Sequence, residues 1–125
     1  MTFTSSLPPT TQRALAYGLT AALAMVIALL TLLPLATPPL ASGGGDKVYH
    51  FIAFAGLMLP VATLRPRALL WMIPAALLFG AGIEIVQPFL NRGRELADFL
   101  ADGAGILAGS ACGLAMHWFR ARHVQ

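Results

Sequence analysis

The sequence predicts an all-α integral membrane bundle of four transmembrane helices. Three observations carry that prediction. The chain of 125 residues is 58% hydrophobic and only 10% charged, where soluble domains carry roughly 25% charge. Its apolar residues fall into four long runs separated by proline, glycine and arginine. Its acids are concentrated: four of the five lie between Glu84 and Asp102, and the fifth, Asp46, stands beside Lys47 and four residues before His50. This length fits one domain. The net charge of +3 does not point to nucleic acid, because the arginines flank apolar runs, as orienting charges of membrane helices do. Cys112 is the single cysteine, so no internal disulfide can form. Set in an apolar run beside glycines, it reads as a small packing residue.

Residues 1–13 are a short polar lead containing Pro8-Pro9 and ending at Arg13. The uncharged run Ala14–Leu33 follows, and its twenty residues, at about 1.5 Å each, cross a core of roughly 30 Å. Small residues at 39–43 would suit cleavage of a signal peptide, but the apolar run exceeds the ~7–15 residues of a signal core, which favours a retained helix. Pro34, Pro38, Pro39 and the glycines 43–45 make a loop. Asp46 is placed to cap a second helix over 48–64 and to complement its dipole. The basic turn Arg65-Pro66-Arg67 is so short that the second and third helices form an antiparallel hairpin. The third run, 68–90, contains Pro74 and Gly80-Ala81-Gly82, which membrane helices tolerate. After a polar turn over 91–94, the last run extends from about Glu95 to Phe119, so that 14–119 forms the transmembrane domain. Residues 120–125 form a basic tail.

With four helices, Arg13, Arg65, Arg67, Arg120 and Arg122 share one side, and Lys47, Arg92 and Arg94 the other. The positive-inside tendency then places both termini in the cytoplasm and both charged clusters outside. Gly105, Gly109 and Gly113 recur every four residues, with Ala101, Ala108 and Ser110 nearby, a small-residue ridge against which another helix can pack closely. Tyr17, Trp71 and Trp118 read as interface anchors or lipid-facing bulk. His117 and His123 read as ordinary terminal residues near the headgroups.

The ionisable groups form a constellation. Asp46 and His50 are spaced i, i+4, and Glu84 and Gln87 i, i+3. Glu95, Asp98 and Asp102 form an acidic stripe entering the fourth helix. A charge at mid-bilayer costs about 2.5–3.5 kcal/mol, so Glu84 and Asp102 are expected to face the bundle interior, paired or protonated. Arg92, Arg94, Lys47 and His50 are the available partners. The candidate polar pocket is therefore Asp46, Lys47, His50, Glu84, Gln87, Arg92, Arg94, Asp98 and Asp102. For Lys47, Arg94 and Glu95, simple helix capping or snorkelling is an equal alternative.

Asp46-Lys47-Val48-Tyr49-His50-Phe51, then Glu84-Ile85-Val86-Gln87, then Arg92 or Arg94, Asp98 and Gly105-x-x-x-Gly109 resemble the VanZ-like family over about residues 46–113. The family pattern runs Asp-Lys-x-x-His-Phe, a helix bearing Glu-x-x-Gln, an arginine, and Asp-x-x-x-Asn before a glycine pair. Arg92 is favoured as the family arginine. Asp102 departs from the pattern, which more often has an amide there. The resemblance implies a small multi-pass protein of the bacterial inner membrane with a shared polar site. The family's founding member is associated with low-level resistance to the glycopeptide teicoplanin.

The leading functional expectation is a non-enzymatic envelope protein. Its outward pocket would bind an anionic or zwitterionic membrane lipid, or a lipid-linked envelope precursor or lipoglycopeptide. Arg92, Arg94 and Lys47 would meet phosphate or carboxylate, held in place by Glu84, Gln87 and Asp98. The rival is an intramembrane hydrolase or transferase, with His50 or Glu84 as base near a metal held by Asp46, Asp98 or Asp102 with His50. No compact metal-ligand motif such as His-Glu-x-x-His is present, so no metal or other cofactor is expected. A structural or partner-binding bundle that uses its glycine ridge in an oligomer is the third reading.

Overall fold

The computed structural model describes residues 7–33, 45–93 and 95–124. The predicted loop over 34–44 and the candidate Arg94 lie outside the described residues, as do 1–6 and 125. Four α-helices are present among the described residues: α1, Pro9–Leu32; α2, Gly45–Leu64; α3, Leu69–Val86; and α4, Leu96–His123. All four are long and apolar enough to cross a membrane.

The helix ends follow from the local sequence. The lead is shorter than expected, because α1 begins at Pro9 with Pro8 extended before it; proline's fixed φ suits the first helical position and its missing N–H is not needed there. The Gln12 side chain donates to the Leu7 carbonyl at 2.8 Å and secures this end. At the other end Leu33 is extended, φ −78° and ψ 147°, the region forced on a residue that precedes proline. Arg65 likewise leaves the helical region ahead of Pro66, which opens a 3-10 turn, Pro66–Ala68. The third run is α-helical only to Val86 and continues as a 3-10 turn, Gln87–Leu90. Asn91 ends it in the left-handed region at φ 58°, which asparagine tolerates better than most residues. The expected basic tail is helical to His123.

Cross-helix contacts fix the arrangement. Thr20 on α1 donates to Leu57 O on α2 at 3.4 Å, and the Gln87 side chain donates to Thr31 O at 3.5 Å. The C-terminal ends of α1 and α3 therefore meet the N-terminal ends of α2 and α4, and the start of α1 and the end of α4 lie at the opposite end of the bundle. The core is centred on α2, where Phe54, Leu57, Met58, Val61 and Ala62 are buried with Ala76, Ile83 and Ile106.

The most extensive helix interface joins α2 and α4. A Cβ on Gly109 would lie 2.7 Å from Ala55 Cα, and one on Gly113 3.2 Å from Leu59 O, while one on Gly105 would strike Phe51 O. The ridge thus seats α4 directly on the α2 backbone. Cys112 is exposed, so the interior packing role expected for it is not seen. Large apolar side chains also stand on the outside of the bundle, among them Leu70, Leu78, Phe89 and Leu96, a surface suited to lipid and not to water.

Candidate functional site

All five acids of the chain gather at the bundle end away from the termini. They fall into two sets. The outer set, Asp46, Glu95 and Asp98, surrounds Lys47. The Lys47 Nζ lies 2.8 Å from Glu95 Oε2, 3.5 Å from Asp46 Oδ1 and 3.7 Å from Asp98 Oδ1. These groups come from the first turns of α2 and α4, so one ammonium ties together two helix N-termini through acids that also complement their dipoles.

The inner set lies deeper. Asp102 is six residues inside α4, about 9 Å along its axis, and has 0% exposure. Its Oδ1 is 2.7 Å from His50 Nδ1 on α2, while His50 Nε2 is 4.0 Å from Asp98 Oδ2. Glu84, near the end of α3, is 4% exposed. Its Oε2 accepts the backbone N–H of Glu95 at 3.3 Å, so a carboxylate from α3 satisfies one of the donors left open where α4 starts.

Among the described residues, four buried oxygens at this end have no hydrogen-bond partner: Glu84 Oε1, Gln87 Oε1, Asp102 Oδ2 and Asp98 Oδ1, the last reached only by the longer ion pair with Lys47. All four are acceptors. Leaving such groups unmatched in an apolar interior is costly, so this end of the bundle is built to receive donors or cations. Beside it, a groove of about 210 Å³ between α3 and α4 is lined by Ala81, Ile85, Leu96 and Phe99 together with Glu84 and Glu95.

Asp46, Lys47, His50, Glu84, Asp98 and Asp102 therefore come together as expected, though with different pairings. Asp46 and His50 share a helix face but form no ion pair; His50 turns across the bundle to α4. Gln87 is buried close by and faces Thr31 on α1. Arg92 is a correction. Its guanidinium bonds the Leu33 carbonyl at the end of α1 and makes no ion pair with any acid. The 3-10 turn and left-handed Asn91 direct it away from the cluster, and Glu84, Gln87 and Asp98 do not hold it.

Gly80 was not legible as a site residue. A Cβ there would stand 2.9 Å from Asp102 Oδ2, so its missing side chain makes room for that carboxylate. The available signal was its i, i+4 spacing to Glu84, which places both on one face of α3.

The opposite end carries a cavity of about 490 Å³ lined by Tyr17, Arg65, Arg67, Trp71 and His117. Tyr17 and Trp71 stack there at 5.7 Å. His117 is more than a terminal residue, since its Nδ1 lies 2.8 Å from Thr63 O and ties α4 to α2. Trp118 is exposed beneath the Arg122 guanidinium, 3.5 Å from the ring centroid, a cation–π pair at the helix end. Comparison with protein-family models, with curated proteins and with solved structures finds no match for the chain.

Proposed function

We propose that the chain is a VanZ-like, multi-pass protein of the bacterial inner membrane, with cytoplasmic termini. In this reading its acid–histidine end binds the polar head of a lipid or lipid-linked envelope precursor, and so alters sensitivity to glycopeptide-type agents. The observation that carries the reading is the groove between α3 and α4, where the apolar Ala81, Ile85, Leu96 and Phe99 stand together with the acids Glu84 and Glu95, a mixed lining that suits an amphiphile. Charge narrows the class of head. The unpartnered oxygens are acceptors, and Lys47 is already engaged by three acids. A head rich in donors, such as sugar hydroxyls, amides or an ammonium, suits them better than a bare anionic phosphate.

The test is selective retention of lipid in nanodiscs containing phosphatidylethanolamine, phosphatidylglycerol and a lipid-linked aminosugar, read by native mass spectrometry. The wild type is expected to enrich phosphatidylethanolamine or the aminosugar lipid over phosphatidylglycerol. Ala81→Phe, which fills the groove while leaving every acid in the chain, should abolish the enrichment. Equal retention of phosphatidylglycerol, or an unchanged profile in Ala81→Phe, would refute the reading.

A further inference from the structure

The two acid sets differ in one decisive respect. The outer set already encloses a cation, because Lys47 Nζ reaches Asp46, Glu95 and Asp98. The inner set, His50, Glu84 and Asp102, has no lysine or arginine among the described residues within ion-pairing distance. Each of its three residues nevertheless offers a ligand atom within 4.8 Å of the other two. Glu84 Oε1 and Asp102 Oδ2 are buried and unpartnered, on side chains 4% and 0% exposed. Two carboxylates this close, removed from water, are relieved either by protonation or by a positive charge, and a bound cation supplies that charge to both at once.

We propose that His50, Glu84 and Asp102 bind a single divalent transition-metal ion. Zn²⁺, Mn²⁺ and Fe²⁺ bind one imidazole nitrogen with two carboxylates, whereas Mg²⁺ and Ca²⁺ favour all-oxygen shells. Ligand atoms about 2.0–2.2 Å from an ion stand roughly 3.0–3.5 Å from one another in tetrahedral or octahedral geometry. A cluster already within 4.8 Å reaches that separation through side-chain rotation alone.

The surrounding groups are arranged as a metal site needs. The Glu95 N–H holds Glu84 Oε2, which leaves Oε1 for the ion. With the ion at His50 Nδ1, the protonated Nε2 turns to Asp98 Oδ2, now 4.0 Å away, the carboxylate partner that orients most ligating histidines. Gly80 keeps clear the space that Asp102 Oδ2 occupies. The ligands come from α2, α3 and α4, so the ion would join three helices. Three protein ligands leave at least one coordination position open. The site shares Glu84 and Asp102 with the lipid-head reading but needs no lipid, so each is tested without the other.

The test uses the full chain, freed of any affinity tag, in detergent. It is stripped with chelator, exposed to Zn²⁺, Mn²⁺ or Co²⁺, desalted, and measured by elemental analysis. The wild type is expected to retain about one ion per chain and to unfold at a higher temperature when loaded. Co²⁺ absorption should report a histidine-ligated ion. Glu84→Gln and Asp102→Asn preserve shape and should weaken binding at least tenfold. Cys112→Ser, His117→Ala and His123→Ala remove the other soft ligands and should leave binding unchanged. A wild type that retains no ion decides against the site even if a variant fails to fold. Glu95→Gln should leave binding unchanged, which separates the site from the outer acids Asp46, Glu95 and Asp98. No retained ion and no thermal shift with any of the three metals would overturn the proposal. So would a wild-type Co²⁺ spectrum that persists in folded His50→Ala. Lipid retention without metal would leave the groove reading intact, and metal binding without lipid selectivity would leave this site intact.

Discussion

Asp102 is the most enclosed ionisable side chain at the site, at 0% exposure, and its nearest partner, His50, belongs to another helix. Removing one member of a buried pair leaves the other uncompensated, at a cost of about 3–5 kcal/mol. His50→Ala, assayed in chelator, should therefore destabilise the bundle by that order, while His50→Ala/Asp102→Ala should cost less than the sum of the single changes. Thermal unfolding of the four species in detergent measures the coupling, and strict additivity would mean that the two residues do not act as a pair. Gly80→Ala tests the same carboxylate from its other side. An added Cβ 2.9 Å from Asp102 Oδ2 and 3.4 Å from Phe54 Cζ must push one of them, and the carboxylate, ending a short side chain, is the one able to move. Gly80→Ala should leave the fold intact while disturbing the His50–Asp102 hydrogen bond, visible as a changed His50 imidazole signal in NMR. At this scale the sequence was informative about burial and less so about pairing. The cost of a charge in an apolar helix drove Glu84 and Asp102 inward, as expected, and Asp98 is buried with them. Spacing within one helix shows which residues share a face, not which residue on another helix lies opposite, so His50 pairs with Asp102 and not with Asp46. Arg92 was misread for the same reason: the left-handed turn at Asn91, which aims it at Leu33, left little trace in composition.

The contact of α4 with α2 gives the glycines of α4 unequal roles. At Gly109 an added Cβ would lie 2.7 Å from Ala55 Cα and 2.8 Å from its carbonyl carbon, and backbone cannot swing aside as a side chain does. Gly109→Ala is thus expected to separate the helices and lower the unfolding temperature, despite alanine's better helix propensity. At Gly103 the nearest atom would be Leu77 Cδ2, 3.8 Å away, an ordinary contact. Gly103→Ala should be neutral or stabilising, by up to about 1 kcal/mol from propensity. Thermal scans in one detergent separate the two cases, and equal effects would show that the ridge does not set the helix separation. The ridge was legible because its four-residue period places every glycine on one face. Its partner was not, since α1, α2 and α3 all offered apolar surface. Helix ends were legible to within a few residues where proline acts on its neighbour, as at Leu33 and Arg65. They were missed where helix continues through polar residues, as in the first turn of α1 and the last turn of α4, because polarity at a helix end reads like a loop.

Across the whole molecule, length and hydropathy made the four helices legible, since a spanning segment must be long, apolar and internally hydrogen-bonded. The direction in which they cross rests on a different argument. The acids and Lys47 lie at one end, and Arg13, Arg65, Arg67, Arg120 and Arg122 flank the other. Lysine and arginine excess, not net charge, sets orientation, so the proposed cytoplasmic termini place the acid–histidine end on the outer side. Two single cysteines in a Cys112→Ser background test this. Gly93→Cys lies at the site end, where an added Cβ meets nothing within 4 Å. Val124→Cys lies at the exposed terminal end. In intact spheroplasts a membrane-impermeant maleimide should label Gly93→Cys and spare Val124→Cys until the membrane is opened. The reverse pattern would turn the acidic end to the cytoplasm, where no external envelope precursor could reach it, and would confine any bound lipid to the inner leaflet. The orientation thus decides which pool of amphiphiles the groove can sample, while the geometry of the His50, Glu84 and Asp102 site is the same in either orientation.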